Sequence, residues 1–199
     1  SFIIKIIVLC LVTIKVSAIE KVILFGDSLM AGYGLPKEQH LSVVLQKSLE
    51  LEGHNIEIIN GSVSGSTSAG GLNIAEWTLS ENNIDLMILC LGANDMLRGI
   101  NPKETKNNLE EIIEIAKNKN IKVIIAGMIA PTSYGFSYKK SFDKIFSDLS
   151  KKYKLQLIPF LLEGVAQKPE FNLSDGMHPN DQGTIIIGNT LKKAILENL

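Results

Sequence analysis

Five short runs of this chain are apolar for most of their length: Lys21–Phe25, Ile56–Asn60, Ile84–Leu91, Ile121–Ala126 and Leu155–Phe160. None shows the sustained alternation of a strand that is wet on one face, so they read as strands covered on both faces. Amphipathic stretches lie between them. Leu41–Leu51 carries a helical spread of apolar residues, and a further helix runs through Trp77. Asn101-Pro102-Lys103-Glu104 reads as a helix start, followed by Leu109, Ile112, Ile113 and Ala116 on one face. Phe142–Leu149 and a last helix lined by Ile187, Leu191, Ala194 and Ile195 complete the alternation. This order predicts an α/β fold, a three-layer α/β/α sandwich with a five-stranded parallel sheet, flavodoxin-like in strand order. Such sheets bind ligands at the carboxyl ends of their strands. Functional residues are therefore expected from Gly26, Gly61 and Gly92 onward and after the last strand.

The chain has 199 residues, enough for one domain, with no internal repeat or interdomain linker. Residues 1–18 read differently from the rest. Lys5, an apolar run of about nine residues (Ile6–Ile14) and Val16-Ser17-Ala18 describe a secretory signal peptide cleaved after Ala18. A membrane anchor would need about 20 apolar residues, and a hydrophobic first strand is the third reading. The expectation is a leader at 1–18, a single domain at 19–199, and export to a bacterial periplasm or beyond, with no stable membrane span after its removal. Cleavage would leave Cys90 as the one cysteine, so no internal disulfide is expected. The 20 basic and 21 acidic residues give no excess of positive charge to hold a phosphate backbone, which argues against nucleic acid as a partner. A monomer or small homo-oligomer is expected. No Cys/His cluster has zinc spacing, and neither metal nor cofactor is expected.

Four groups at the predicted strand ends could carry chemistry. Ser28, in Gly26-Asp27-Ser28-Leu29, follows strand 1 and is either a nucleophile or the N-cap of a following helix. Met30 stands where the nucleophile elbow of another hydrolase fold would need Gly. Of the three histidines, His40 and His54 read as surface residues. His178 lies in Asp175-Gly176-Met177-His178-Pro179, either an Asp/His pair or a turn into the last helix. Across such a turn Asp175 can fix the imidazole tautomer and stabilise its charged form. Gly61–Gly71 is rich in Gly and Ser but lacks the Lys and the Gly spacing of a phosphate cradle. Gly92-Ala93-Asn94-Asp95 offers an amide and a backbone N–H, the donors that an oxyanion hole uses.

Taken in order, Gly26-Asp27-Ser28-Leu29, Gly65, Gly92-x-Asn94-Asp95 and Asp175-x-x-His178 resemble the four blocks of the SGNH (GDSL) hydrolase family. Within it the chain is similar to the bacterial group of multifunctional acyl-CoA thioesterases, arylesterases and lysophospholipases. Gly26–Tyr33, Ser62–Ser68, Gly92–Gly99, Ala130–Gly135 and Asp175–Asn180 carry that likeness. The resemblance implies Ser28 as nucleophile, His178 as base and Asp175 as its orienter. It also implies an oxyanion hole from the N–H groups of Ser28 and Gly65 and the amide of Asn94. Met30 and Ala93 depart from the group's usual small residue and Gly. Both border the nucleophile or oxyanion loop, where they bear on substrate preference.

The expected reaction is hydrolysis of a small-molecule ester or thioester through an acyl-enzyme on Ser28. The alternatives are a carbohydrate O-acetylesterase on the same scaffold and a non-enzymatic, flavodoxin-like phosphate or nucleotide binder using Gly61–Gly71. Arg98 is the one Arg among 20 basic residues and stands three positions beyond Asp95. A planar bidentate donor there could hold the loop or meet an anionic substrate group.

Overall fold

The computed structural model describes residues 19–81 and 83–199; the proposed leader at 1–18 lies outside the described residues. The elements run β1 (Lys21–Gly26), α1 (Ser28–Ala31), α2 (Leu41–Leu51), β2 (Glu57–Asn60), α3 (Ser68–Thr78), β3 (Leu86–Cys90), α4 (Ala93–Leu97), α5 (Pro102–Asn118), β4 (Lys122–Ala126), α6 (Phe136–Tyr153), β5 (Gln156–Ile158) and α7 (Asp181–Leu196). All strand pairings are parallel, in the order β2-β1-β3-β4-β5, the flavodoxin-like order expected.

The register puts Phe25 beside Leu89 and Ile88 beside Ile124, so the three central strands form one apolar slab. Ile23, Leu24, Ile88, Leu89, Ile124 and Ile125 are fully buried. Each such side chain contributes roughly 1.5–3 kcal/mol by leaving water. The two edge strands are only partly buried. Gln46 of α2 accepts the N–H of Ile58, which occupies one edge donor of β2. Right-handed crossovers in this strand order place α2 on one face and α3, α5 and α6 on the other, and α7, after the last strand, joins α2. The contacts agree: α2 packs on α7, and α5 packs on both α3 and α6.

Element ends follow local chemistry. Asn101 caps α5 by accepting the N–H of Lys103, with Pro102 in the first turn. Asp85 does not extend β3. Its carboxylate accepts the N–H groups of Glu20 and Lys21 and ties down the start of β1. Two expectations need correction. Helix α6 spans 18 residues, well beyond Phe142–Leu149: its first turns hold no fully buried residue, with Phe136 exposed and Tyr138 half-buried among polar neighbours, so the apolar stripe begins only at Phe142. The segment after Gly92 is helical for five residues where a loop was expected.

Candidate active site

The site grows from the tip of β1. A Cβ on Gly26 would come within 2.7 Å of the Cys90 carbonyl oxygen, so only glycine lets β1 and β3 end side by side here. The N-cap of α1 is Asp27, not Ser28: its Oδ1 accepts the N–H of Leu29 at 3.1 Å. The Asp27 carbonyl accepts the N–H groups of Met30 and Ala31. The N–H of Ser28, first in the helix, belongs to the turn that has no intrahelical acceptor. Gly32 closes α1 in the left-handed region after only four residues.

The loop after β5 approaches Ser28 from 150 residues away. His178 Nε2 lies 2.9 Å from Ser28 Oγ, and His178 Nδ1 lies 2.6 Å from Asp175 Oδ2. Asp175 Oδ1 accepts the N–H groups of His178 and Met177, which folds the turn around Gly176. The His178 N–H, then that of Met177 and the imidazole, hold the Asp175 carboxyl down at about 2 against partial desolvation. Its stabilising contribution is thus complete above about 4, the range of a free carboxyl, and is lost only as pH falls through about 2. Pro179 bridges to Asn172, and Asn180 caps α7 through the Gly183 N–H while donating to the Glu170 carbonyl. The turn that holds His178 is therefore anchored on both sides.

The other strand tips supply donors. Gly65 sits at φ +79°, a conformation that strains any L side chain, so Ala at this position is disfavoured even though space is open. Asn94 lies in the first turn of α4 and donates from Nδ2 to Asp27 Oδ2 at 3.3 Å. Next to it, the buried Asp95 accepts from the Ser68 N–H, the Ser68 hydroxyl and the Thr105 hydroxyl. Asn108 completes the network by donating to Ser68. Arg98, at the end of α4, donates from Nη2 to the Gly65 carbonyl at 3.1 Å. Helix α4 therefore grips the Gly65 loop at two points.

Ser28, Gly65, Asn94 and His178 share one cavity of about 410 Å³. Its walls are apolar, with Leu29, Met96, Met128 and Leu162 inside and Tyr33, Leu97 and Met177 half exposed at the rim. Met30 does not reach the cavity. It is fully buried beneath Gly26, so of the two departures from the family pattern only Ala93 lines the site. His40 and His54 are half-buried rather than on the surface, and the His40 ring meets the Leu35 carbonyl. Burial pushes the Cys90 thiol well up, which makes it inert as a nucleophile. Among the described residues no group of three His, Cys, Asp or Glu side chains could hold a metal ion.

Two contacts escape the sequence pattern. The Tyr33 ring packs on the His178 imidazole with centroids 4.5 Å apart. Asp27 is completely buried, and desolvation raises its carboxyl to about 6. Both residues lie within the motif run, but their contacts are with residues 145 and 67 positions away.

A hydroxyl, imidazole and carboxylate in hydrogen-bonded series, opening on an apolar cavity with an amide beside it, define a serine hydrolase site. Residues 24–184 match the GDSL-like Lipase/Acylhydrolase family, and the chain belongs to that family. It is 36% identical over 182 residues to an arylesterase of Vibrio mimicus, covering 92% of this chain and 91% of that protein. It is 30% identical over 187 residues to the thioesterase 1/protease 1/lysophospholipase L1 of Escherichia coli K12, covering 94% and 88%. The crystal structure of TesA superposes with a TM-score of 0.85 at 32% identity, covering 90% of this chain and all of that one. The chain is an ester-hydrolysing enzyme of the SGNH type. Neither the carbohydrate O-acetylesterase nor the nucleotide-binder alternative is favoured beside relatives bearing these names.

The Arg98 contact carries a prediction. Lys, with a single ammonium on a flexible stem, lacks the planar guanidinium whose Nη2 meets the Gly65 carbonyl. Arg98→Lys is expected to lower kcat by about fivefold, the ~1 kcal/mol of an exposed hydrogen bond. An enzyme indistinguishable from wild type in kcat and melting temperature would show the contact to be idle.

Proposed function

We propose that Ser28 is the nucleophile, His178 the general base and Asp175 its orienter, in hydrolysis of carboxylic esters and thioesters with apolar acyl groups. The observation that carries this reading is the series Asp175–His178–Ser28, at 2.6 and 2.9 Å, opening on the apolar cavity. Ser28 Oγ attacks the carbonyl carbon while His178 Nε2 takes its proton. The tetrahedral oxygen is met by the N–H groups of Ser28 and Gly65 and by the Asn94 amide. His178 gives its proton to the departing alcohol or thiol, then activates water to release the acid from the acyl-enzyme. Acyl-CoA, aryl esters and lysophospholipids are the substrate classes proposed, which puts the enzyme in lipid metabolism. Turnover of p-nitrophenyl esters, blocked by a serine-reactive phosphonate, tests the reading in one assay. A chain inert towards both would reject it.

Asn94 acts on the transition state. The tetrahedral oxygen carries a full charge and the ground-state carbonyl only a partial one, so a fixed amide gains strength as the reaction proceeds. Asn94→Ala is expected to lower kcat by about 10²–10³, roughly 3–4 kcal/mol, with KM nearly unchanged. A folded Asn94→Ala enzyme with wild-type kcat would eliminate this role.

The mature enzyme is proposed to begin at Ile19 and to act outside the cytoplasm. Support comes from the run Lys5–Ala18. N-terminal sequencing of the exported product should find Ile19 first; the full-length chain in the cytoplasm would reject export.

A further inference from the structure

The geometry points to Asp27 as the positioning residue that locks the Asn94 amide with its nitrogen end towards the reacting carbonyl, an inference that rests on the oxyanion role proposed for Asn94. An Asn side chain turns easily about its last bond, and its two ends are opposite in polarity. Turned the wrong way, Asn94 would present a carbonyl oxygen to the tetrahedral oxygen and oppose the reaction. Something must choose the end, and the group the amide meets on its protein side is the completely buried Asp27 carboxylate.

An ionised carboxylate only accepts hydrogen bonds. Asp27 uses one oxygen for the Leu29 N–H, at the cap of the helix that carries Ser28, and the other for Asn94 Nδ2. The nitrogen of Asn94 is thereby drawn to Asp27, and its second N–H remains for the cavity that Asn94 lines. One carboxylate thus sets two donors at once: the start of the helix bearing the nucleophile, and the amide across from it. The Asn94 backbone is fixed independently, through Asp95 and its three donors, so the remaining freedom is the turn of the amide itself.

The charge of Asp27 works against a tetrahedral oxygen nearby, so its two effects have opposite signs. Removing the charge alone would raise kcat; releasing the amide would lower it. Asp27→Asn separates them. Asn remains a good N-cap, but once its oxygen serves Leu29 its NH2 faces Asn94 and turns that amide round. Asp27→Ser caps Leu29 and does not reach Asn94.

Steady-state kinetics on Asp27→Asn, Asp27→Ser, Asn94→Ala and the double variant Asp27→Asn/Asn94→Ala, each with its melting temperature, form the test. Both Asp27 variants are expected to lose about 10- to 100-fold in kcat with little change in KM. In the Asn94→Ala background, Asp27→Asn is expected to cost nothing further. If Asn94→Ala loses kcat but Asp27→Asn does not, the lock is overturned while the oxyanion role stands. A loss that follows a lowered melting temperature and persists in the Asn94→Ala background assigns Asp27 to the fold and also overturns it. Wild-type kcat in Asn94→Ala removes the oxyanion role and the lock with it.

Discussion

Replacing Ser28 with alanine is expected to abolish covalent labelling by a phosphonate and to lower kcat by roughly 10³-fold or more, with the fold intact. The fold should survive because α1 is capped by Asp27 and Gly32, neither of which depends on the Ser28 side chain. The four serines between β2 and the first turn of α3 are the competitors, and each is otherwise placed. Ser62 donates to the Leu24 carbonyl, and Ser66 to the Thr67 carbonyl. Ser68 is buried against Asp95. Ser64 lines the cavity but has no imidazole beside it among the described residues. Mass spectrometry of the labelled enzyme decides the point, since a phosphonate on Ser64 would overturn the assignment to Ser28.

His178→Ala is expected to be nearly as damaging as Ser28→Ala, and the double variant little worse than either. The two atoms share one proton, 2.9 Å apart, so removing either ends the same step. Asp175→Ala should cost less, because Asp175 orients the ring and the turn without transferring the proton. Losses that add in the Ser28→Ala/His178→Ala variant would show two separate steps and count against the shared one.

The central strands were legible because their burial is complete. Val22–Phe25, Leu86–Cys90 and Val123–Ala126 have no wet face to interrupt the apolar run. Helix α2 has the bounds read from its periodicity, Leu41–Leu51. Periodicity fails where an element is too short or too wet. Helices α1 and α4, of four and five residues, span barely one turn and have no repeat to detect. Ser28 as a possible N-cap was the wrong residue by one position, because Asp and Ser are near-equal caps and the geometry alone separates them. At the site, the motif blocks located Ser28, Gly65, Asn94, Asp175 and His178, and the parallel strands bring their loops to one end of the sheet, at the carboxyl ends of the strands. What Asp27, Tyr33 and Arg98 touch was not readable, since each meets a partner on another loop. Met30 shows the converse: its place in the motif suggested the cavity, yet its side chain fills the core.

The attachment of His178 to α7 has a consequence for how activity returns on refolding. Ser28 sits at the first strand tip and His178 just before the last helix. In the folded chain His178 meets Ser28 with β5 on the far edge of the sheet and α7 packed on α2. A contact of such sequence separation carries a large loop-closure cost and is made only with the rest of the fold in place to offset it. Catalytic turnover is therefore a reporter of the completed chain. A fragment ending before Asp175 keeps the nucleophile and every proposed oxyanion donor and yet has no base to start the reaction.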